Sequence, residues 1–244
     1  MKNLSPLLLT ILTFALAACT TRSISDSGFD AGGGRYGRSP TALYQGELNE
    51  FDVLGIDRGA RPTEEEIARA LATRQPVTIK RGTSVMLIQS GAMMPDDPML
   101  KALDKHYTVT PFTGVPAEKS KGDSAESYSR SLRLAAARSG CEKILVYWGT
   151  LESARENLAT TAVSWVPVVG WVLPDERQRM RIRLKVVAID VRTGQWETFL
   201  PDPLDDRAFS SIVNRRETDQ SLVGVLKEKA YVAAAEDVKR HFGR

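Results

Sequence analysis

Residues 143–149, Lys-Ile-Leu-Val-Tyr-Trp-Gly, give the strongest strand signal in the chain. Just before them, apolar residues recur at helical spacing between Tyr128 and Ala136. Gly140 follows in the position where helices commonly end in a left-handed residue. A helix that feeds directly into an apolar strand favours an α/β domain.

Further strand and helix signals lie on both sides of this unit. Residues 84–89 form a continuous apolar run, which suits a strand covered on both faces, and residues 107–112 predict another strand. Toward the C-terminus, residues 179–191 and 196–200 predict a hairpin, and residues 219–242 predict a last helix. The predicted fold is a single α/β domain, with α+β as the variant. It has a mixed sheet of about four to six strands packed by helices.

Periodicity also predicts which side chains face the core. Met180, Ile182, Leu184 and Val186 alternate with Arg181, Arg183 and Lys185, so that strand should have one dry and one wet face. In the last helix, the residues expected to face the core are Leu222, Val225, Leu226, Val232, Ala233 and Val238. Another helix, expected from about Pro62 to Arg74, starts with a capping box of Thr63 and Glu66 and carries Ile67, Ala70 and Leu71 on one face.

The N-terminus has the order of a secretory signal peptide. Lys2 supplies a positive charge, residues 7–15 are largely apolar, and Leu16-Ala17-Ala18-Cys19 closes the segment. The apolar part is too short to span a bilayer as a permanent helix. Residues 1–18 are therefore predicted to be a signal peptide.

Leu16-Ala17-Ala18-Cys19 resembles the bacterial lipobox. That resemblance implies a diacylglyceryl group on the Cys19 thiol, cleavage before Cys19, and acylation of the new amine by a chain such as palmitate. Two or three acyl chains hold a protein at a membrane almost irreversibly, because each buried methylene contributes about 0.8 kcal/mol. Thr20 stands where the enterobacterial pattern has Asp for inner-membrane retention, which favours the periplasmic face of the outer membrane.

Composition divides the mature chain into two parts. Residues 19–40 are rich in Ser, Gly and Asp, which predicts a lipidated flexible tether, and residues 41–244 are predicted to form a periplasmic α/β domain. With 42% hydrophobic residues this domain can bury a core. The net charge is +3 with no basic block, so nucleic acid is not an expected partner.

The order of elements over residues 84–200 resembles a periplasmic lipoprotein domain. Ser139-Gly140-Cys141 leads into an apolar strand, and a later strand ends in Asp190-Val191-Arg192-Thr193-Gly194. Similar motifs occur in the curli-secretion channel lipoprotein, the penicillin-binding-protein activator lipoproteins and the amino-terminal domain of the Tol translocation protein. The resemblance implies a non-enzymatic envelope domain that binds partners or assembles.

Residue types that could carry chemistry are few. His106 and His241 have no carboxylate or Cys at metal-ligand spacing, so neither a metal nor another cofactor is expected. Ser90, with Asp96-Asp97 in the loop that follows, could form a hydrolase site at a strand end, but no base is placed by a motif. Cys141 is expected to be a buried, inert thiol.

The segment 162–174 is the least ordinary part of the domain. It is apolar, carries Trp165 and Trp171, and is interrupted by prolines and a glycine. It could be a loop that covers its own sheet, or an exposed tip that contacts a membrane or a partner through Trp165, Val168, Val169 and Trp171. It is too short for the spanning hairpins of a pore.

Together these features predict an envelope accessory or assembly lipoprotein that acts by binding a partner protein. The alternatives are a cell-envelope hydrolase acting on peptides or peptidoglycan, and a structural homo-oligomeric lipoprotein.

Overall fold

The structure is a computed structural model that describes residues 22–27, 44–118, 124–156, 163–167, 178–205 and 219–243. In chain order, the elements after residue 44 are α1 (Glu50–Leu54), α2 (Glu64–Thr73), β1 (Ser84–Gln89), α3 (Asp97–Asp104), β2 (Thr108–Phe112), α4 (Ala125–Arg138), β3 (Lys143–Glu156), β4 (Val163–Pro167), β5 (Gln178–Asp190), β6 (Trp196–Phe199), β7 (Leu204–Asp205) and α5 (Asp219–Phe242). The capping box predicted for α2 is present.

The strands form one mixed sheet. Its central order is β2-β1-β3-β5-β6, with β4 paired to β3 and β7 paired to β5. β1 runs parallel to β2 and β3, whereas β5 runs antiparallel to β3 and β6. The predicted α/β fold with a mixed sheet, a C-terminal hairpin and a last helix is confirmed.

Helices cover both faces of this sheet, because successive side chains of a strand point to opposite sides. Leu87 and Leu145 belong to the core that packs against α3 and α5. Their neighbours Met86 and Ile144 belong to the core under α1 and α4, which also contains the buried Cys141. The continuous apolar runs of β1 and β3 follow from this double coverage.

The buried face of α5 differs from the predicted one. Val223, Leu226, Tyr231 and Val238 are buried, but Val232 is exposed. Lys227 is also buried, one turn from Val223 and one turn from Tyr231. Lys227 and Tyr231 were not among the predicted core residues because both carry polar groups. These groups find partners inside the domain.

The segment 22–27 departs from the prediction of a flexible tether over residues 19–40. Ile24–Asp26 form a 3-10 turn, and Ser23 supplies an N-cap by accepting a hydrogen bond from the Ser25 amide. Ser23, Ile24 and Ser27 are buried in the domain. Residues 19–21 and 28–40, with the predicted signal peptide over residues 1–18, lie outside the described residues.

Among the helices within the described ranges, none is both long and apolar enough to cross a bilayer.

Candidate functional site

One edge of β3 is shared by three pairing partners in succession. Residues 143–147 pair with β1, Thr150 forms an antiparallel bridge with Ser23, and residues 152–156 pair with β4. The Leu151 amide also donates to the Arg22 carbonyl over 3.1 Å. The segment 22–27 therefore fills the gap between the C-terminal ends of β1 and β4.

Ile24 anchors this segment in the core. Its side chain is 1% exposed and belongs to the same apolar cluster as α3 and α5. Gly149 makes room for it, because a Cβ at that position would overlap both Ile24 and Leu184. The glycine inside a buried strand thus marks a close approach of another part of the chain.

A buried ion pair lies next to Ile24, at the carboxyl end of β1. Lys227 Nζ is 2.9 Å from Asp96 Oδ2 and donates to the Ile24 carbonyl over 3.2 Å. It also lies 3.5 Å from Ser27 Oγ. The Tyr231 hydroxyl donates to the same Asp96 oxygen over 2.5 Å. Because a buried ammonium is stable only when it is paired and hydrogen-bonded, the segment 22–27 completes the surroundings of Lys227.

Gln89 extends this network across the end of β1. Its side-chain amide donates to Ser25 Oγ over 3.0 Å and to Asp96 Oδ2 over 3.3 Å. Its carbonyl oxygen accepts from the Tyr147 hydroxyl over 2.5 Å and from the Asp96 amide over 2.8 Å. Burial, and then the charge of Asp96, raise the pKa of Tyr147 and the pKa of Tyr231 well above 10.0. Both phenols are therefore neutral donors across the physiological range.

Ser90, the candidate nucleophile, is part of this interior. It is buried, and its Oγ accepts a hydrogen bond from the Leu48 amide over 2.8 Å. Its carbonyl accepts from Ser25 Oγ over 2.6 Å. A nucleophile must be open to substrate and hydrogen-bonded to a base. Ser90 is buried, and no described side chain is hydrogen-bonded to it as a base.

Both histidines lie at the opposite end of the sheet. The His106 carbonyl accepts from the Gly82 amide just before β1, and Phe242, next to His241, is hydrogen-bonded to Ile79. Since β1 has six residues and a strand rises about 3.3 Å per residue, this amino end is roughly 20 Å from Ser90. The imidazoles pair instead with Glu236 at 2.9 Å and with Glu197 at 2.8 Å.

Helix α2 is the most exposed regular element. None of its residues is buried, and Ile67 and Leu71 on its apolar face are 44% and 71% exposed. Its C-terminal end is held by Gln195, which donates to the Thr73 carbonyl and accepts from the Gln75 amide. Gln195 follows β5 in the turn at the amino end of the sheet. This end of α2 is therefore fixed on the side of the domain opposite the segment 22–27.

A cleft of about 380 Å³ lies between α1, the start of α4 and residues 116–118. Glu47, Asp52 and Glu118 line it, together with Tyr128. These carboxylates give the cleft a negative potential, which would favour cationic groups.

The contact residues predicted in segment 162–174 are only partly described. Trp165 lies in β4, where its backbone pairs with Ala154 of β3. Val168, Val169 and Trp171 lie outside the described residues, as does the predicted lipidation site, Cys19. The contact surface expected from these four residues therefore stays a prediction.

Sequence reasoning did not find the Lys227 network. The available signals were a lysine in register with Val223 and Tyr231 on α5, and Gly149 within an apolar strand. Within the described ranges, no group of three or more His, Cys, Asp or Glu side chains is arranged to hold a metal ion.

Comparison with known proteins gives a family match. No curated protein matches the chain. The model of a family described as YafT bacterial lipoprotein matches residues 49–241, which run from α1 to the end of α5. The match supports a bacterial lipoprotein and not the specific curli, penicillin-binding-protein activator or Tol group. The chain belongs to the YafT bacterial lipoprotein family.

Proposed function

We propose that this lipoprotein is an accessory protein of the cell envelope, held by acyl chains on Cys19 at the periplasmic face of the outer membrane, and that it acts by binding a partner protein. Membership of a lipoprotein family and the Leu16–Cys19 sequence support the anchor. The resemblance of residues 84–200 to envelope assembly domains favours binding over catalysis.

The uncovered apolar face of α2 carries the proposal that the domain binds a partner. A helix of ten residues is marginal in isolation, and in proteins such helices are usually stabilised by packing an apolar face. Among the described residues, the Ile67–Leu71 face packs against no core. A partner that covers this face would bury both side chains and stabilise the helix.

The charged residues of α2 indicate which side chains such a partner would carry. The first turn of α2 carries Glu64, Glu65 and Glu66, directly beside the apolar face. A complementary surface would offer apolar side chains to Ile67 and Leu71 and lysines or arginines to the glutamates. Such complementarity typically governs association rate and specificity more than affinity.

Photo-crosslinking in intact envelopes tests this function. A photoreactive amino acid would replace Leu71 in one variant and Arg69, on the opposite side of the same helix, in the control. We expect a discrete crosslinked protein from position 71 and much less from position 69. The product at position 71 should disappear when Ile67→Ser is added, because that change removes the neighbouring apolar contact.

The pattern of products separates the proposal from its alternatives. Equal products from positions 69 and 71, or none from either, would contradict a partner surface on α2. A product from position 71 that contains only this chain would identify a homo-oligomer instead.

A further inference from the structure

The docked segment 22–27 limits how far the domain can lie from its lipid anchor. Arg22 is held to Leu151, and only Thr20 and Thr21 separate it from Cys19. Since an extended chain spans at most about 3.5 Å per residue, the Cys19 Cα lies within roughly 10 Å of the Arg22 Cα. Acyl chains on Cys19 would therefore bring the domain surface near Arg22 directly against the bilayer.

The direction of the segment identifies which surface this is. Ser23 and Thr150 pair antiparallel, so the chain traced backward from Ser23 to Arg22 runs the way β3 runs from Thr150 to Leu151. β3 is parallel to β1 and β2. The chain thus enters the domain at the carboxyl end of β1 and β2, beside Leu151 within β3, and on the edge opposite the two histidines.

Exposed apolar side chains are present at this same edge. Met93 and Met94, in the loop after β1, are 56% and 61% exposed, and Phe112 at the end of β2 is 36% exposed. The loops that carry them are joined, because the Gly114 amide donates to the Ala92 carbonyl over 2.8 Å. We call Met93, Met94 and Phe112 the apolar edge.

The apolar edge is also tied to the docked segment. The loop of Met93 and Met94 begins at Ser90, whose carbonyl accepts from Ser25, and ends at Asp96, which pairs with Lys227. Lys227 in turn donates to the Ile24 carbonyl. The segment 22–27 and the loop that carries Met93 and Met94 are therefore parts of one hydrogen-bonded unit.

We propose that the apolar edge enters the interface of the bilayer that holds the acyl chains, and that the segment 22–27 fixes the domain in this orientation. The inference rests on the proposed lipidation of Cys19. Burial of three apolar side chains is too weak to hold a protein at a membrane alone. The anchor keeps these side chains close to the bilayer, and the resulting high effective concentration makes even a weak contact form. The orientation leaves the C-terminal end of α2 on the side of the domain away from the membrane.

Fluorescence quenching in vesicles tests the orientation. The lipidated protein would be reconstituted into phosphatidylethanolamine and phosphatidylglycerol vesicles that contain a nitroxide-labelled lipid. A fluorophore would be attached at Met94→Cys in one variant and at Leu71→Cys in the control, both in a Cys141→Ala background. We expect quenching at position 94 to exceed quenching at position 71 several-fold.

Two matched insertions test whether the segment 22–27 fixes the orientation of the domain. A Gly/Ser linker of about twelve residues, with a root-mean-square span of about 20 Å, would be inserted either between Thr21 and Arg22 or between Gly33 and Gly34. We expect the first insertion to reduce quenching at position 94 toward that at position 71. The second insertion follows the docked segment and should leave quenching unchanged.

Flotation with the vesicles tests the lipid anchor separately from the orientation of the domain. Protein that floats but is quenched equally at positions 94 and 71, or is unaffected by the first insertion, overturns the orientation and leaves the anchor intact. Protein that does not float overturns both the anchor and the orientation.

Discussion

The ammonium group of Lys227 lies 2.9 Å from the Asp96 carboxylate inside the domain, and only 3% of the lysine side chain is exposed. The pair joins the last helix to the loop after the first strand. The Ile24 carbonyl also accepts a hydrogen bond from this ammonium, so the network ties the segment 22–27 to the core.

Removing one partner of this pair should destabilise the fold strongly. In Asp96→Asn, the buried Lys227 ammonium loses the carboxylate that lies 2.9 Å away, and we expect the free energy of unfolding to fall by about 3–5 kcal/mol. Urea denaturation of the soluble domain measures this. The control is Glu50→Gln, which breaks the more exposed pair with Lys185 and should cost less than about 1 kcal/mol. Equal losses would show that Lys227 is not buried as described.

Ile24 should contribute as a core residue even though it precedes the predicted domain. Ile24→Ala removes a fully buried side chain, so we expect a loss of about 2–5 kcal/mol in unfolding free energy. Ile67→Ala, on the exposed face of α2, is the matched control and should change stability by less than about 1 kcal/mol. An unchanged melting temperature for Ile24→Ala would be inconsistent with docking of residues 22–27.

The buried tyrosines predict a loss of stability at alkaline pH. The folded-state pKa values of Tyr147 and Tyr231 lie well above the value of 10.0 expected for the unfolded chain. Their contribution is therefore fully present below pH 10 and is lost as the pH rises toward their folded-state pKa values. Unfolding free energies measured across this range should fall less steeply in Tyr147→Phe than in the unsubstituted protein. Normal titration of every tyrosine near pH 10 in the native protein would contradict this.

Trp171 lies outside the described residues, and its role stays a prediction. If the segment 162–174 only covers its own domain, Trp171→Ala should destabilise folding by about 3–5 kcal/mol. If the segment is a contact surface, the same change should leave the melting temperature almost unchanged and reduce membrane or partner binding. Measuring both properties on one purified variant decides between the two.

The anchor itself depends on one residue. Cys19→Ala removes the thiol that would take the diacylglyceryl group, so we expect an unprocessed or soluble periplasmic protein. Metabolic labelling with a fatty-acid analogue, followed by separation of envelope fractions, measures this. Labelling of the variant at the level of the unsubstituted protein would show that acylation occurs elsewhere.

Much of the fold could be predicted because the spacing of apolar residues within each strand or helix indicates the type of element and its buried face. The consecutive apolar residues of β1 and β3 indicate coverage on both faces, and the alternation from Met180 to Val186 places one face of β5 inside. The capping box at Thr63 fixes the start of α2. These signals lie within single elements, where the spacing of side chains is set by backbone geometry.

The sequence alone could not reveal the docked segment or the buried network. The polar composition around residues 22–27 is typical of a flexible chain, yet the space left beside Gly149 and the shared edge of β3 accept it. Lys227 is a charged residue that hydropathy assigns to the surface, and only the approach of Asp96 and Ile24 makes its burial stable.

The sequence by itself determined most of the helices and strands, the buried faces of β1, β3 and β5, and the signal-peptide and lipobox pattern, because each depends on residues close together in the chain. Tertiary structure alone decided that residues 22–27 join the core, that Ser90 is enclosed, and that no described residue covers the apolar face of α2. Each of these depends on which distant surfaces meet. Local spacing does not encode that, because the same amphipathic pattern is compatible with a covered or an open face.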